Sequence, residues 1–210
     1  MFDDALPAAQ QQLCVKLSAV FVVQGFYLAG GTAAALHLGH RESVDLDFFR
    51  NGAFEPDAVG LPVAEAAACR WDHYERNTLV GIADGVKVSF FHYPYPLLEP
   101  TQSFAGLAVA SALDVACMKL VAIGQRGLRR DFIDLRCLLD ALRVDLWTLW
   151  QQTQRKFALR EDSVYWLARG LAYFEDAEAE AEPKLRRPQP WADVRTFFQR
   201  ESKALLDRLR

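Results

Sequence analysis

Residues 26–49 contain the feature that most constrains the fold, a glycine turn and two acidic residues within an apolar stretch. A short apolar run ends at Gly30-Gly31-Thr32, and Asp45-Leu46-Asp47 follows after a short predicted helix. Side chains two residues apart in a strand point to the same face of a sheet, so we expect Asp45 and Asp47 to project together. Two carboxylates on one face repel each other unless a cation neutralises them. The pattern therefore predicts a site for a hard divalent metal ion, with Mg²⁺ as the expected ion.

The glycine turn has the features of an anion site. Gly30-Gly31 permits a tight turn with close backbone approach, and Thr32 is predicted to cap a helix that continues to Leu38. Backbone N–H groups, a hydroxyl and the positive end of a helix then meet at one spot, which suits a phosphate. For the turn alone, a purely structural helix cap is the favoured interpretation. The neighbouring aspartates shift the balance towards phosphate binding.

Composition and charge give no sign of a polycationic or membrane protein. The 210 residues are 51% hydrophobic and 24% charged, and the net charge of −3 provides no global signal for nucleic-acid binding. The four cysteines are scattered without a CxxC pair, which predicts buried, reduced thiols in a cytoplasmic protein. The acidic N-terminus lacks a signal-peptide pattern and no apolar run is long enough for a membrane span, so we expect no membrane partner.

The order of predicted elements indicates an α+β fold with a mixed β-sheet. A helix is predicted over residues 8–23, and short strands over 27–29 and 44–49. The next predicted strands cover residues 70–76, 78–83 and 86–92, and the last two are joined by an Asp-Gly hairpin turn.

A proline-rich segment, residues 94–100, is the predicted boundary between two parts of the chain. Residues 1–100 are predicted to form the α/β core, and residues 101–210 a helical C-terminal part. The predicted helices of that part cover residues 112–125, 131–142, 146–156, 162–175 and 191–209.

A second block of residues lies in the predicted helical part, at 114–123, 126–127 and 130–135. Together with Gly30-Gly31-Thr32 and the sequence SVDLD at 43–47, this block resembles the AbiEii/AbiGii nucleotidyltransferase toxins of type IV toxin–antitoxin pairs. Those toxins are part of the DNA polymerase β-like nucleotidyltransferase superfamily. The resemblance covers residues 13–142.

The resemblance implies both a fold and an activity. The fold would be a polymerase β-like nucleotidyltransferase core followed by a helical bundle that completes the active-site cleft. The activity would be Mg²⁺-dependent transfer of a nucleoside monophosphate from a nucleoside triphosphate to RNA, such as the 3′ end of a tRNA, or to a protein. A cognate antitoxin would neutralise such a toxin.

The resemblance also implies roles for residues of the first block. Asp45 and Asp47 would be catalytic and would hold one or two Mg²⁺ ions. Residues implied for nucleotide binding are Gly30, Gly31, Thr32, Ser43 and Arg41. For Arg41, a surface charge without function is an equally good interpretation.

Three residues of the second block are implied as catalytic, namely Lys119, Asp131 and Asp134. Lys119 would bring positive charge to the triphosphate; the alternative is a lysine that extends from a buried helix into solvent. Asp131 and Asp134 share a helix face, and one of them would orient Lys119 or assist the acceptor. Asp131 also lies near a helix start, where the helix dipole favours a carboxylate without any function.

One position departs from the superfamily pattern. Many members carry a third carboxylate on a later strand, where it serves as the base for the acceptor hydroxyl, and the matching position here is Ser89. Either Asp131 or Asp134 replaces that base, or the protein is a catalytically weakened nucleotide-binding or protein-interaction module with the same fold. A transferase that modifies an antibiotic is a third alternative, because such enzymes share the aspartate pair but not the second block.

The arginines around the second block have two interpretations. Arg126, Arg129, Arg130 and Arg136 would either contact an RNA backbone or form a solvated cluster that pairs with Asp131 and Asp134. The sequence does not decide between them.

Overall fold

A computed structural model describes residues 1–21 and 25–208. The chain divides into two compact units, Met1–Ser111 and Ala112–Arg210. The first unit contains a seven-stranded mixed sheet with three α-helices in its described part, and the second unit is helical. The predicted α+β class with a helical C-terminal part is confirmed.

The sheet of the first unit has seven strands, whose bounds are Tyr27–Leu28 (β1), Leu46–Arg50 (β2), Cys69–Glu75 (β3), Thr78–Ala83 (β4), Val86–His92 (β5), Gln102–Phe104 (β6) and Leu107–Val109 (β7). Their spatial order is β3-β4-β5-β2-β1-β7-β6. The central strand β2 pairs antiparallel with β1 and parallel with β5. The strands predicted over residues 70–92 are confirmed, with Asp84 and Gly85 forming the turn between β4 and β5.

The hairpin of β6 and β7 extends the sheet beyond the proline-rich segment. Ala105 and Gly106 form its turn with φ angles of 49° and 82°, and β7 pairs in parallel with β1. Because of this pairing, the division between the units falls after Ser111, whereas the sequence placed it after residue 100. β6 was not predicted, since it has only 3 residues and is largely exposed, which leaves no hydrophobic alternation to detect.

The two faces of the sheet differ in burial, and the alternation in β2 shows this directly. Leu46 and Phe48 are at most 1% exposed, while Asp47 and Phe49 are half-buried. The buried face is completed by Val88 and Phe90 of β5. Side chains alternate between the faces of a sheet, so the carboxylate of Asp47 lies on the face opposite this core.

The helices of the first unit are Ala8–Phe21 (α1), Gly30–Leu38 (α2) and Pro56–Ala66 (α3). Leu13, Cys14 and Leu17 are buried and lie on one face of α1. The predicted end of this helix, at residue 23, lies outside the described residues. α2 is short and almost entirely buried, so its N-terminus is held in a fixed position.

The second unit consists of helices Ala112–Gln125 (α4), Arg129–Leu142 (α5), Leu146–Phe157 (α6), Ser163–Leu171 (α7), Glu175–Ala179 (α8) and Trp191–Asp207 (α9). Asp145 caps α6, because its carboxylate accepts a hydrogen bond of 2.7 Å from the Thr148 N–H. Hydrogen bonding from Thr148, first through its hydroxyl and then through this N–H, holds the pKa of Asp145 below its usual value. The helix predicted over 162–175 is divided between α7 and α8, and residue 209, the predicted end of the last helix, lies outside the described residues.

A buried ion pair joins α4 to α6 in the second unit. Lys156 Nζ lies 2.7 Å from Asp114 Oδ1, and both side chains are fully buried. Two charges without water are stable only when each neutralises the other, so this contact fixes the position of α4 against α6.

The structure bears on the predicted burial of the cysteines and on the predicted absence of a membrane-spanning segment. Cys14 and Cys117 are buried, and burial raises their thiol pKa values to about 12 and about 11; Cys69 and Cys137 are only half-buried. The expected full burial is therefore wrong for the latter two. Among the described residues, every helix is too short or too polar to cross a membrane.

Candidate active site

The N-terminus of α2 presents backbone N–H groups that have no partner within the helix, immediately after β1. Gly30 has φ +64°, so the chain turns sharply and the helix begins at Gly30, with Ala29 as its N-cap. The prediction that Thr32 caps the helix is therefore wrong. The first hydrogen bond of the helix runs from the Ala33 N–H to the Ala29 carbonyl. The N–H groups of the three preceding residues lack partners inside the helix, which is the arrangement that binds anions.

Thr32 connects the start of α2 to the segment before β2. Its side chain is buried, and its hydroxyl donates a hydrogen bond to the Asp45 carbonyl and lies 2.8 Å from the Ser43 hydroxyl. A hydroxyl has one hydrogen, and that of Thr32 is given to Asp45. The Ser43 hydroxyl is therefore the donor in the Thr32–Ser43 contact. Both hydroxyls hold the site together internally, so the groups of this turn that remain for a phosphate are backbone N–H groups.

The two aspartates lie at the beginning of β2. The strand starts at Leu46 and not at residue 44 as predicted, since the Asp45 carbonyl is taken by Thr32 and Val44 is exposed. The strand argument for a shared face therefore holds for Asp47, whereas Asp45 is the residue before the strand. Both aspartates are half-buried, which leaves their carboxylates partly open to solvent.

Asp47 and Arg41 flank the two glycines of the turn. A Cβ placed on Gly30 would lie 3.1 Å from Asp47 Oδ2, and one on Gly31 would lie 2.5 Å from Arg41 Nη2. A side chain at Gly31 would force the Arg41 guanidinium to move, and one at Gly30 would press on the Asp47 carboxylate. Arg41 is 5% exposed, so the alternative that it is merely a surface charge is wrong. A carboxylate, a guanidinium and the N-terminus of α2 thus lie together within the first unit.

Ser89 lies beside Asp47 on the neighbouring strand. The parallel pairing of β2 and β5 sets Asp47 opposite Ser89, and Ser89 is 4% exposed. Paired residues of two strands point to the same face of a sheet, so the Ser89 hydroxyl occupies the place next to the Asp47 carboxylate.

The aspartate pair fits a magnesium ion better than a preformed metal cage. Within residues 1–21 and 25–208, no three His, Cys, Asp or Glu side chains come together in a way that could hold a metal. Mg²⁺ is commonly bound through one or two carboxylates, with water and substrate phosphates as its other ligands. The Asp47 carboxylate beside the N-terminus of α2, with half-buried Asp45 two residues before it, fits that pattern, while a structural zinc site needs four protein ligands.

The predicted residues of the second unit form a buried ionic cluster. Lys119 Nζ lies 2.7 Å from Asp131 Oδ1 and 2.7 Å from Asp134 Oδ2, and Arg126 Nε lies 3.4 Å from Asp131 Oδ2. Lys119 is 5% exposed and both aspartates are fully buried, so the alternative of a solvent-directed lysine is wrong. The structure brings Lys119, Asp131 and Asp134 together, and their part in catalysis stays a prediction.

Most arginines near the second block have partners within the second unit. Arg129 donates to the Ala177 carbonyl, Arg130 pairs with Glu180 and Arg136 pairs with Asp140. Of these four arginines, Arg126 is the one shown to contact the predicted aspartates, and it is also well exposed.

With this geometry in place, comparison with known proteins decides the family. The profile of the nucleotidyl transferase AbiEii toxin family, of the type IV toxin–antitoxin system, matches residues 12–78 and 80–208. The chain belongs to this family. The match extends well beyond the residues that carry the resemblance in the sequence, and it makes the protein a nucleotidyltransferase of a toxin family.

One relative of this AbiEii family member is similar over nearly its whole length. An uncharacterized protein of Aquifex aeolicus is 36% identical over 207 residues, which are 96% of this chain and 98% of that protein.

Two solved structures show the same fold at low sequence identity. A crystal structure of a Helicobacter pylori protein proposed to be a nucleotidyltransferase has a TM-score of 0.56 at 15% identity, covering 96% of this chain and 95% of that one. The antibiotic-resistance factor ANT(2'')-Ia has a TM-score of 0.52 at 13% identity, covering 71% of this chain and 91% of that one. These likenesses confirm the nucleotidyltransferase fold.

Gly30→Ala tests whether the glycine turn and Asp47 act together. Gly85 in the β4–β5 turn also has positive φ, at +79°, but a Cβ there would meet nothing within 4 Å, so Gly85→Ala is the matched control. Both variants should lose about 1–2 kcal/mol of stability in urea denaturation, because each forces alanine into a left-handed conformation. Only Gly30→Ala should also lose metal-dependent nucleoside triphosphate binding in calorimetry, since its methyl group displaces Asp47. Equal binding by the two variants would contradict this geometry.

Lys119→Ala tests the buried cluster of the second unit. The substitution leaves two buried carboxylates without their shared cation, so the free energy of unfolding should fall by about 3–5 kcal/mol. Arg160→Ala removes an arginine that also pairs with an aspartate, but at an 84% exposed position, and it should cause no measurable change. Chemical denaturation measures both variants. If the Lys119→Ala protein were as stable as the Arg160→Ala protein, the cluster would not be buried from solvent as described.

Proposed function

We propose that the protein transfers a nucleoside monophosphate from a nucleoside triphosphate to an RNA acceptor, with Mg²⁺ bound by Asp45 and Asp47. The observation that carries this proposal is the position of Asp47 and Arg41 against Gly30 and Gly31. A metal-binding carboxylate, a buried cation and the N-terminus of α2 are the three groups that a metal–triphosphate complex requires.

Each of these groups has a part in holding the substrate. The N–H groups of Gly31 and Thr32 and the Arg41 guanidinium bind phosphate oxygens, while Thr32 and Ser43 keep the carboxylate segment in place. Asp45 and Asp47 would hold the Mg²⁺, which would supply positive charge against the negative charge of the triphosphate. The acceptor hydroxyl oxygen forms a bond to the α-phosphorus, the bond to the β-phosphate oxygen breaks, and pyrophosphate leaves with that electron pair.

The proton of the acceptor hydroxyl requires a base other than Ser89. A serine hydroxyl beside Asp47 is itself protonated at neutral pH, so it cannot take this proton. The family resemblance assigns Lys119 to the triphosphate and either Asp131 or Asp134 to the acceptor. Kinetic measurements on Asp131→Asn and Asp134→Asn distinguish which aspartate acts on the acceptor. Each substitution leaves Lys119 paired with one remaining carboxylate, so the charge of the lysine stays neutralised in both variants.

The alternative is a nucleotide-binding or protein-interaction module that has lost efficient transfer. The hydroxyl of Ser89 at the side of Asp47 favours it, since superfamily members commonly have a carboxylate there. We propose a cognate antitoxin as partner and the cytoplasm as location on the basis of the toxin–antitoxin family.

A transfer assay with Asp45→Asn tests the proposal. Each radiolabelled nucleoside triphosphate is incubated with Mg²⁺, total RNA and either the wild type, Asp45→Asn or Asp72→Asn, in which Asp72 is an exposed residue of β3. We expect label in RNA with the wild type and with Asp72→Asn. Asp45→Asn should reduce it by about a hundredfold or more, because metal ions contribute several kcal/mol to such reactions.

The other outcomes of this assay are equally informative. Metal-dependent nucleotide binding without label in RNA or protein would establish the weakened module. Full transfer by Asp45→Asn, or transfer that persists after chelation of Mg²⁺, would refute the proposed site.

A further inference from the structure

A row of aromatic side chains continues the sheet face on which Asp47 lies. Phe49 is two residues after Asp47 on β2, so both point to the same face. In the parallel pairing with β5, the pair Asp47–Ser89 is followed by the pair Phe49–Phe91. We define the aromatic strip as Phe49, Phe91, Tyr93 and Tyr95.

The rings of the aromatic strip contact one another in sequence. The Phe49 ring centroid lies 5.6 Å from that of Phe91 and 5.2 Å from that of Tyr93. Tyr93 in turn lies 4.9 Å from Tyr95 in an edge-to-face arrangement. These separations are those of favourable aromatic pairs, so the strip is an ordered surface of rings.

Burial separates the aromatic strip from the aromatic core on the other face. Phe48 and Phe90, which alternate with Phe49 and Phe91, are at most 1% exposed. All four rings of the strip are half-buried and keep part of their surface open to solvent. One side of Phe49 is covered by the buried ring of Tyr27, whose centroid lies 6.2 Å away, and the four rings together leave part of an aromatic surface open beside the Asp47 carboxylate.

The side chains on this face follow one another in the order of the parts of a nucleotide, which are phosphate, ribose and base. Exposed Lys87 lies on the same side of β5 as Ser89, two residues before it, and Phe91 lies two residues after it. The row therefore passes from a cation, through the Asp47 level, to aromatic rings. With a strand rise of about 3.3 Å per residue, Asp47 and Phe49 are about 7 Å apart, a gap that a ribose bridges between a phosphate and its base.

We propose that the aromatic strip stacks a nucleobase whose phosphate is held at the Asp45–Asp47 level. This inference rests on the proposed function and adds the base-binding part of the same site. The base belongs either to the nucleoside triphosphate or to the terminal nucleotide of the RNA acceptor, and stacking accepts either because every base has an aromatic face.

Paired substitutions at Phe91 and Tyr95 separate stacking from apolar contact. Phe91→Leu and Tyr95→Leu remove a ring at nearly constant volume, whereas Phe91→Tyr and Tyr95→Phe keep it. Calorimetry with Ca²⁺ in place of Mg²⁺ measures the affinity for each nucleoside triphosphate and for inorganic triphosphate. Fluorescence anisotropy measures the affinity for a short single-stranded RNA, and circular dichroism checks folding.

The leucine variants should lose only the part of the binding affinity that the nucleobase contributes. Stacking is worth about 1–3 kcal/mol per base, so nucleoside triphosphate affinity should fall about 5- to 150-fold while inorganic triphosphate affinity stays the same. The aromatic variants should bind as the wild type does. A loss confined to RNA would instead assign the strip to the base of the acceptor.

Two results would overturn the inference. One is folded leucine variants that bind nucleoside triphosphates and RNA as tightly as the wild type, and the other is an equal loss for inorganic triphosphate, which places the effect at the phosphate groups. A wild type that binds neither triphosphate ligand would refute the proposed function, and the RNA measurement would then decide the role of the strip.

Discussion

The contact of the Thr32 hydroxyl with the segment before β2 is the interaction on which the candidate site depends. Thr32 donates to the Asp45 carbonyl and receives the Ser43 hydrogen bond, so it joins the start of α2 to the aspartate segment. The glycines beside it leave space for Asp47 and Arg41. Two stretches that are separate in the sequence thereby form one surface, with the proposed phosphate-binding donors next to the proposed metal-binding carboxylates.

The second unit depends on a different interaction, the pairing of buried lysines with aspartates. α4 carries Asp114 in its first turn and Lys119 further along; the former pairs with Lys156 of α6, and the latter with Asp131 and Asp134 of α5. Removing one partner leaves a charge without water or counter-ion, so the helices are fixed relative to one another. The same rigidity holds Lys119 in a defined place, as its proposed contact with the triphosphate requires.

Local sequence patterns predicted much of the fold. The features that they did not predict depend on contacts between residues that are distant in the sequence. Asp84-Gly85 located the β4–β5 hairpin, and the two sequence blocks identified the family that the profile match confirms. Burial of Arg41 did not follow from the sequence, because it depends on the missing side chain of Gly31. The start of β2 was placed too early for a similar reason, since the Thr32 hydroxyl takes the Asp45 carbonyl. Burial of Lys156 had no signal in the sequence, because the residue follows exposed Arg155 in a helix rich in polar residues.

A crystal structure with a non-hydrolysable nucleoside triphosphate and Mn²⁺ tests the central claim most directly. Mn²⁺ replaces Mg²⁺ at oxygen ligands and is located by its anomalous scattering. We expect an anomalous peak within coordination distance of the Asp45 and Asp47 carboxylates, and phosphate oxygens at the N–H groups of Gly31 and Thr32. A triphosphate bound away from the N-terminus of α2, or a metal ion without contact to either aspartate, would contradict the account.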